Sequence, residues 1–186
     1  MSTTTVPASL AELTGSWTLD TTHSRVGFVA RHAMVTKVRG SFNDFAGTAV
    51  IDGGIDTARI DVTIQVASVD TRNADRDGHL KTGDFFEIEK YPTITFASTS
   101  AVATGNVLEV TGDLTIKDVT KSVTVPFEFE GVAQDPYGNL RAGFEGSTVI
   151  TRSDFGITFN AALETGGVLV SDKITLEFEV SAVKSA

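Results

Sequence analysis

The sequence predicts an all-β fold, and three observations predict it. Apolar residues recur at every second position: Ile60, Val62, Ile64 and Val66 alternate with Asp61, Thr63, Gln65 and Ala67, and the same period returns at 123–129 and 174–180. Short stretches rich in Gly, Asp and Asn separate these runs, and no long helical pattern lies between most of them. Strand side chains alternate between faces, so the period describes a sheet with one dry and one wet face. Repeated over about eight strands with short connections, it indicates a closed antiparallel barrel, with a two-layer sandwich as the competing arrangement.

In chain order, residues 1–14 are polar and Thr-rich and read as a flexible tail, with one short helical turn within Ala8 to Leu13. The remainder, 15–186, reads as a single domain, the length being ordinary for one. Trp17 to Asp20 forms a short opening strand. Strands follow at 24–32, 40–51, 59–69, 93–104, 106–117, 121–133, 139–151 and 173–183. Asp52-Gly53-Gly54, Gly105-Asn106, Lys117-Asp118 and Pro136-Tyr137-Gly138-Asn139 supply tight reversals between them. Only the segment between Thr71 and Pro92 breaks the rhythm. There Asn73 caps a short helical crossover near 73–82, Asp75 and Asp77 suit its N-terminal dipole, and Gly83 stops it. This crossover would close one end of a barrel, with Phe85 and Phe86 plugging inward.

Composition narrows the function. With 24 acidic against 15 basic residues the formal charge is −9, and no basic cluster interleaved with aromatics offsets it, which argues against nucleic acid as a partner. A single local Arg or Lys would still hold a small anionic head group. With no cysteine, disulfides, thiolate catalysis and Cys-ligated zinc have no residues to use. The first residues lack a basic n-region and an apolar h-region, and no apolar stretch approaches a membrane span, so the expectation is a cytoplasmic protein without stable membrane insertion. Twelve Phe bring apolar area without a polar handle, which suits a dry interior or a greasy pocket.

Candidate polar sites are few. His23, His32 and His79 show no metal-ligand spacing, so no metal or other cofactor is expected. Ser24 beside His23 reads as a hydroxyl serving a turn. His32 shares parity with Val26, Phe28 and Ala30, so a regular strand would point it at the apolar interior, where protein or a ligand head group must satisfy it. Arg76, Asp77 and Asp84 form a charge pattern on the crossover, and Arg152-Ser-Asp154-Phe155-Gly156 reads as a turn locked by an Asp–Arg pair.

Taken together, these segments resemble the YceI-like family. The resemblance runs from Trp17 to about Val183. It rests on Trp17, Leu19, Asp20, His23, Ser24, Val26 and Phe28, then His32, Gly40 and Phe42, then Val69-Asp70-Thr71. Arg76, Asp77, His79, Leu80, Asp84, Phe85, Phe86, Tyr91 and Pro92 follow; Gly112, Leu114 to Ile116, Asp118 to Lys121, Arg152 to Gly156 and Val170 to Asp172 complete it. The resemblance implies an eight-stranded antiparallel lipocalin-like β-barrel whose interior accepts the tail of an amphiphile, because members of the family are associated with binding polyisoprenoids. Physics agrees, since about eight strands enclose just enough room for side chains or one small ligand.

The resulting expectation is a cofactor-free binding or transport protein, not an enzyme, that holds a hydrophobic small molecule: a polyisoprenoid, an isoprenoid quinone or a fatty acyl compound. Inward candidates are Val26, Phe28, Ile60, Val62, Ile64, Ile94, Phe96, Leu114, Ile116, Val125, Phe127, Ile174, Leu176 and Phe178, and His32, Arg76 and His79 are the candidates for polar contacts at a mouth. One alternative is a lipid isomerase or hydrolase using His32 or Asp154 as acid or base. Another is a stress-response interaction module with a filled barrel and an apolar patch outside it. The resemblance also raises the expectation of a homodimer.

Overall fold

The structure is a computed structural model that describes residues 9–161, 163 and 167–185. Among these, eleven strands pair antiparallel throughout. They are β1 (Gly15–Leu19), β2 (Arg25–His32), β3 (Thr36–Phe42), β4 (Phe45–Ile51), β5 (Arg59–Gln65), β6 (Val69–Asp70), β7 (Thr93–Thr104), β8 (Val107–Ile116), β9 (Val119–Gln134), β10 (Leu140–Thr151) and β11 (Lys173–Ser185).

The eleven strands fill eight positions of a closed barrel. β11 pairs with β1 through Leu19↔Ala182 and with β2 through Arg25↔Glu179, so β1 and β2 continue one another along the same position. β3 and β4 share the next, pairing with β2 and β1 respectively, and β5 and β6 share the third. β7 to β11 occupy the other five, and the β1–β11 pairing closes the ring. Closure leaves no open edge for a sandwich.

Two of the three broken positions are where the sequence expectation and the structure part; the third, at 20–24, falls between the expected strands at 17–20 and 24–32. The runs at 40–51 and 59–69 are not continuous. Each kinks at the same level of the barrel, where Asn43 N–H donates to Ser68 O (3.2 Å), Gln65 N–H donates to Asp44 O (2.9 Å) and the Ser68 hydroxyl donates to Gln65 O (2.6 Å). β3 begins at Thr36, well before the expected 40, because a tight turn at 33–35 folds it back on β2.

The third break, 20–24, is tied by polar groups. Ser24 serves a turn as expected: its hydroxyl accepts from Ser181 N–H (2.9 Å) and donates to Ser181 O (3.2 Å). Asp20 accepts from the Arg141 guanidinium and the Thr22 hydroxyl (2.8 Å) and lies 2.7 Å from His23 Nδ1. The Arg141 hydrogen bond, helped by those from Thr22 and His23, holds the Asp20 carboxyl far below the usual carboxylate range. A carboxyl depressed in the folded state stabilises it above its unfolded value, near pH ~4, and loses that contribution as pH falls through the folded value. Asp20→Asn is therefore expected to melt earlier than wild type at pH 7, with the gap narrowing as pH drops below about 4. A gap independent of pH in thermal melts would show that the charge is not what matters there.

Two cores hold the barrel, one at each end. Leu10, Leu13, Trp17, Ile55, Val110 and Phe129 belong to the first, and Phe42, Phe45, Val66, Phe85, Phe155 and Ile157 to the second. Residues 1–8 of the expected tail lie outside the described residues. The rest of it corrects that expectation: Leu10 and Leu13 are only 2 % and 1 % exposed, packed under a 3₁₀ turn at Leu10–Glu12. Their apolar side chains gain more from the end of the barrel than from water. At the opposite end, helix α1 (Ala74–Leu80) opens at Asn73, whose side chain accepts from Arg76 N–H (3.0 Å), as the sequence predicts.

Candidate functional site: an apolar cavity inside the barrel

Between the two cores lies a cavity of about 320 Å³. This falls in the range of ligand pockets, ~300–1,000 Å³, and is about twice the ~150 Å³ apolar void that stays dry and takes up benzene. All fourteen apolar residues predicted to face inward line it, from Val26 and Phe28 on β2 to Ile174, Leu176 and Phe178 on β11. Several of them, among them Phe28, Ile60, Val62, Phe96 and Leu176, are half-buried. Side chains that filled the lumen would bury one another, so these leave part of their surface facing open space.

Two glycines help keep the lumen open. Phe28 pairs with Gly40 across β2 and β3, and its ring lies where a Cβ at Gly40 would stand. The Phe96 ring lies over Gly112 of β8 in the same way. A ring flat against a neighbouring strand's bare backbone adds apolar wall without crossing the lumen.

The polar candidates fare differently. His32 is exposed and absent from the cavity wall. Its parity with Val26, Phe28 and Ala30 is right, but β2 has run past the barrel rim by that point, and His32 bridges to Val170 beside a turn. Arg76 is also not in the wall; its Nε donates to the Thr71 hydroxyl (2.8 Å) and its Nη2 to Thr71 O (2.7 Å), while Asp77 accepts from the same Thr71. These bonds tie the crossover to β6. His79 sits edge-on to Phe85 and Phe159, each with ring centroids 5.0 Å away, and its Nε2 lies 2.8 Å from Asp84 Oδ2. The structure thus spreads the three mouth candidates over separate structural contacts. Phe85 and Phe86 do line the cavity, as expected of a plug.

Among the described residues, the charged one that does reach the wall is Arg152, 6 % exposed. The expected Arg152–Asp154 lock is not what holds its turn. Asp154 is exposed, and the guanidinium donates to three backbone carbonyls: Nε to Ser171 (2.9 Å), Nη1 to Ile157 (2.9 Å) and Nη2 to Val170 (3.3 Å). Asp172 supplies the carboxylate, accepting from Ser153 N–H (3.1 Å) and its hydroxyl (2.8 Å). Burial lowers the Arg152 pKa from its ordinary value, with Asp172 opposing the shift. The 3₁₀ turn Arg152–Phe155 closes on Gly156, whose φ of 77° is the left-handed conformation glycine adopts readily. With its donors directed at carbonyls, Arg152 leaves the wall almost wholly apolar. Neither His32 nor Asp154, the acid–base candidates, belongs to it. No group of three or more His, Cys, Asp or Glu among the described residues is placed to hold a metal ion.

Sequence parity also reaches residues that the prediction omitted. Leu108 and Val110 share the parity of Leu114 and Ile116 on β8, and both line the cavity. Trp17 and Leu13 carry no such signal, since their role depends on the N-terminal turn packing across the barrel end.

Comparison with known proteins agrees with the architecture. A YceI-like domain model matches residues 17–182. The chain belongs to the YceI-like family. A UPF0312 protein of Staphylococcus aureus (strain MSSA476) is 40% identical over 171 residues, covering 90% of this YceI-like chain and 95% of its own. The crystal structure of Burkholderia cenocepacia BcnA superposes with a TM-score of 0.74 at 30% identity, covering 88% of this chain and 98% of that one. A polyisoprenoid binding domain from Saccharophagus degradans, implicated in plant cell wall breakdown, shares the fold at 15% identity with a TM-score of 0.71, covering 91% and 98%. No helix among the described residues of this YceI-like protein is long and apolar enough to cross a membrane.

Proposed function

We propose that this YceI-like protein binds a long-chain amphiphile, a polyisoprenoid, an isoprenoid quinone or a fatty acyl compound, with its tail in the barrel, and carries or sequesters it without catalysis. One observation carries the reading: a cavity of about 320 Å³ with an almost wholly apolar wall, spanning the space between two separate cores. Such a wall favours a hydrocarbon tail over a polar substrate, because each methylene transferred from water contributes roughly 0.8 kcal/mol and needs no partner. The neighbour described as a polyisoprenoid binding domain has the same fold, which is consistent with an isoprenoid tail. Among the described residues the wall offers no pair of titratable side chains for acid–base chemistry, which favours carriage over lipid modification.

Native mass spectrometry of protein purified gently from its own host, followed by organic extraction, tests this. The expected result is a bound species with a long prenyl or acyl chain. Protein that is ligand-free and also takes up no prenyl or acyl chain in vitro would sink the reading.

A further inference from the structure

We propose that the β2–β3 hairpin is a docking lip for an anionic lipid bilayer, so that an amphiphile passes between membrane and cavity without crossing water. The inference rests on the amphiphile-binding reading and adds where the ligand is exchanged.

The hairpin tip is built against ordinary turn chemistry. Val35 N–H donates to His32 O (3.1 Å), making a four-residue turn whose central residues, Ala33 and Met34, have φ of 51° and 64°. That is a type I′ turn, which favours Asn and Gly. Here the chain instead places Met34 and Val35 in the open, 59 % and 76 % exposed, with Met34 lying over Gly167. Apolar side chains at an exposed tip gain nothing from water, but they do gain from the acyl boundary of a bilayer.

Charge along the hairpin itself is equally one-sided, the nearby acidic Asp172 following Ser171, whose hydroxyl accepts from Arg31 N–H (2.9 Å). Arg25, Arg31, Lys37 and Arg39 are basic, and no acidic residue occurs from Arg25 through Asn43, in a chain of formal charge −9. Arg25 and Arg39 share Glu177 at 3.7 and 3.8 Å. Arg31 and Lys37, opposite one another in register, form no ion pair among the described residues. At physiological ionic strength charges more than about 8 Å away are largely screened. A surface touching the tip therefore meets these cations rather than the net negative charge, and anionic head groups complement them.

The location joins lip to cavity. Ala30, just before the tip, and Val170, which bridges to His32, both line the cavity, and Ala33 N–H donates to Leu169 O (2.7 Å). The opposite end of the barrel is filled by Leu10 and Leu13.

Flotation of the full chain with vesicles tests the proposal. Binding is expected to mixed phosphatidylserine–phosphatidylcholine vesicles at low salt, with much weaker binding to phosphatidylcholine alone or at high salt. R31E/K37E and, separately, M34S/V35S should each lower partitioning by about tenfold or more. M34G relieves the turn conformation, so it should fold at least as well as wild type and still bind vesicles less; a purely structural tip would show no loss. Uptake of a fluorescent fatty acid added from ethanol, without vesicles, should be unchanged in all these variants. Equal binding to both vesicle types, or binding unaffected by the tip substitutions, overturns the lip. So does absent vesicle binding with an oligomeric state that shifts on tip substitution, which would make the tip a contact between copies. If wild type takes up neither the fatty acid nor a prenyl chain, the cavity reading fails, and the vesicle measurements still decide the lip.

Discussion

Replacing Val62 by Trp is expected to cut the affinity for a prenyl or acyl chain by about a hundredfold while leaving the barrel folded. Val62 lies on β5 opposite Gly47 of β4 and Phe96 of β7, lines the cavity, and is half-buried. An indole there enters the cavity that Val62 lines, displacing roughly three to four methylenes of ligand. At ~0.8 kcal/mol each this is about 3 kcal/mol, or two orders of magnitude in Kd. The cost to folding is smaller than in a close-packed core, where inserting extra atoms destabilises by ~1–3 kcal/mol, because the cavity already provides the room. Thr63→Trp, on the exposed outer face of the same strand, is the control and should bind as wild type does. Titration with a fluorescent acyl or prenyl probe, alongside thermal melts, distinguishes the outcomes. A folded Val62→Trp protein with unchanged affinity would mean that the tail does not occupy the lumen.

That experiment can be designed because so much of the wall was legible. Period two assigns a face to every strand residue, and a closed barrel turns one face into one enclosed surface, so Ile60, Val62, Leu114 and Leu176 meet although far apart in sequence. Parity fails where the strand leaves the barrel: His32 has the inward phase but stands beyond the rim, and no local pattern marks a rim. The breaks at 43–44 and 66–68 are likewise set by hydrogen bonds between two segments, visible only when both are placed. Whether the lumen is hollow was also out of reach. It depends on Phe28 finding Gly40, and Phe96 finding Gly112, across neighbouring strands, which is a matter of register. Arg152 shows the same limit: its partners are carbonyls, which every residue possesses, and the nearby Asp154 suggested a pairing that the fold does not use.

Arg152→Ala is expected to destabilise the protein by about 3 kcal/mol, lowering Tm by roughly 6–12 °C for a chain of this size. Two effects oppose one another. Removing a buried cation recovers its desolvation cost, and replacing buried charges by apolar groups is sometimes neutral or stabilising. Against this, the guanidinium joins the 152–157 turn to the 170–171 crossing beside the Ser153–Asp172 bonds, and hydrogen bonds from a charged donor contribute about 1.5–3 kcal/mol each. Val170 O keeps Asn160 as a donor at 2.8 Å, so the loss falls on Ser171 O and Ile157 O, and the two together outweigh what desolvation returns. Arg152→Met separates the contributions, since it keeps an apolar stem against the cavity and loses only the donors. Denaturant melts of Arg152→Met that match wild type would remove the guanidinium from the account. Loss in both variants would place it there, and because Val170 lies in the wall beside the β2–β3 turn, ligand dissociation should quicken along with the loss of stability.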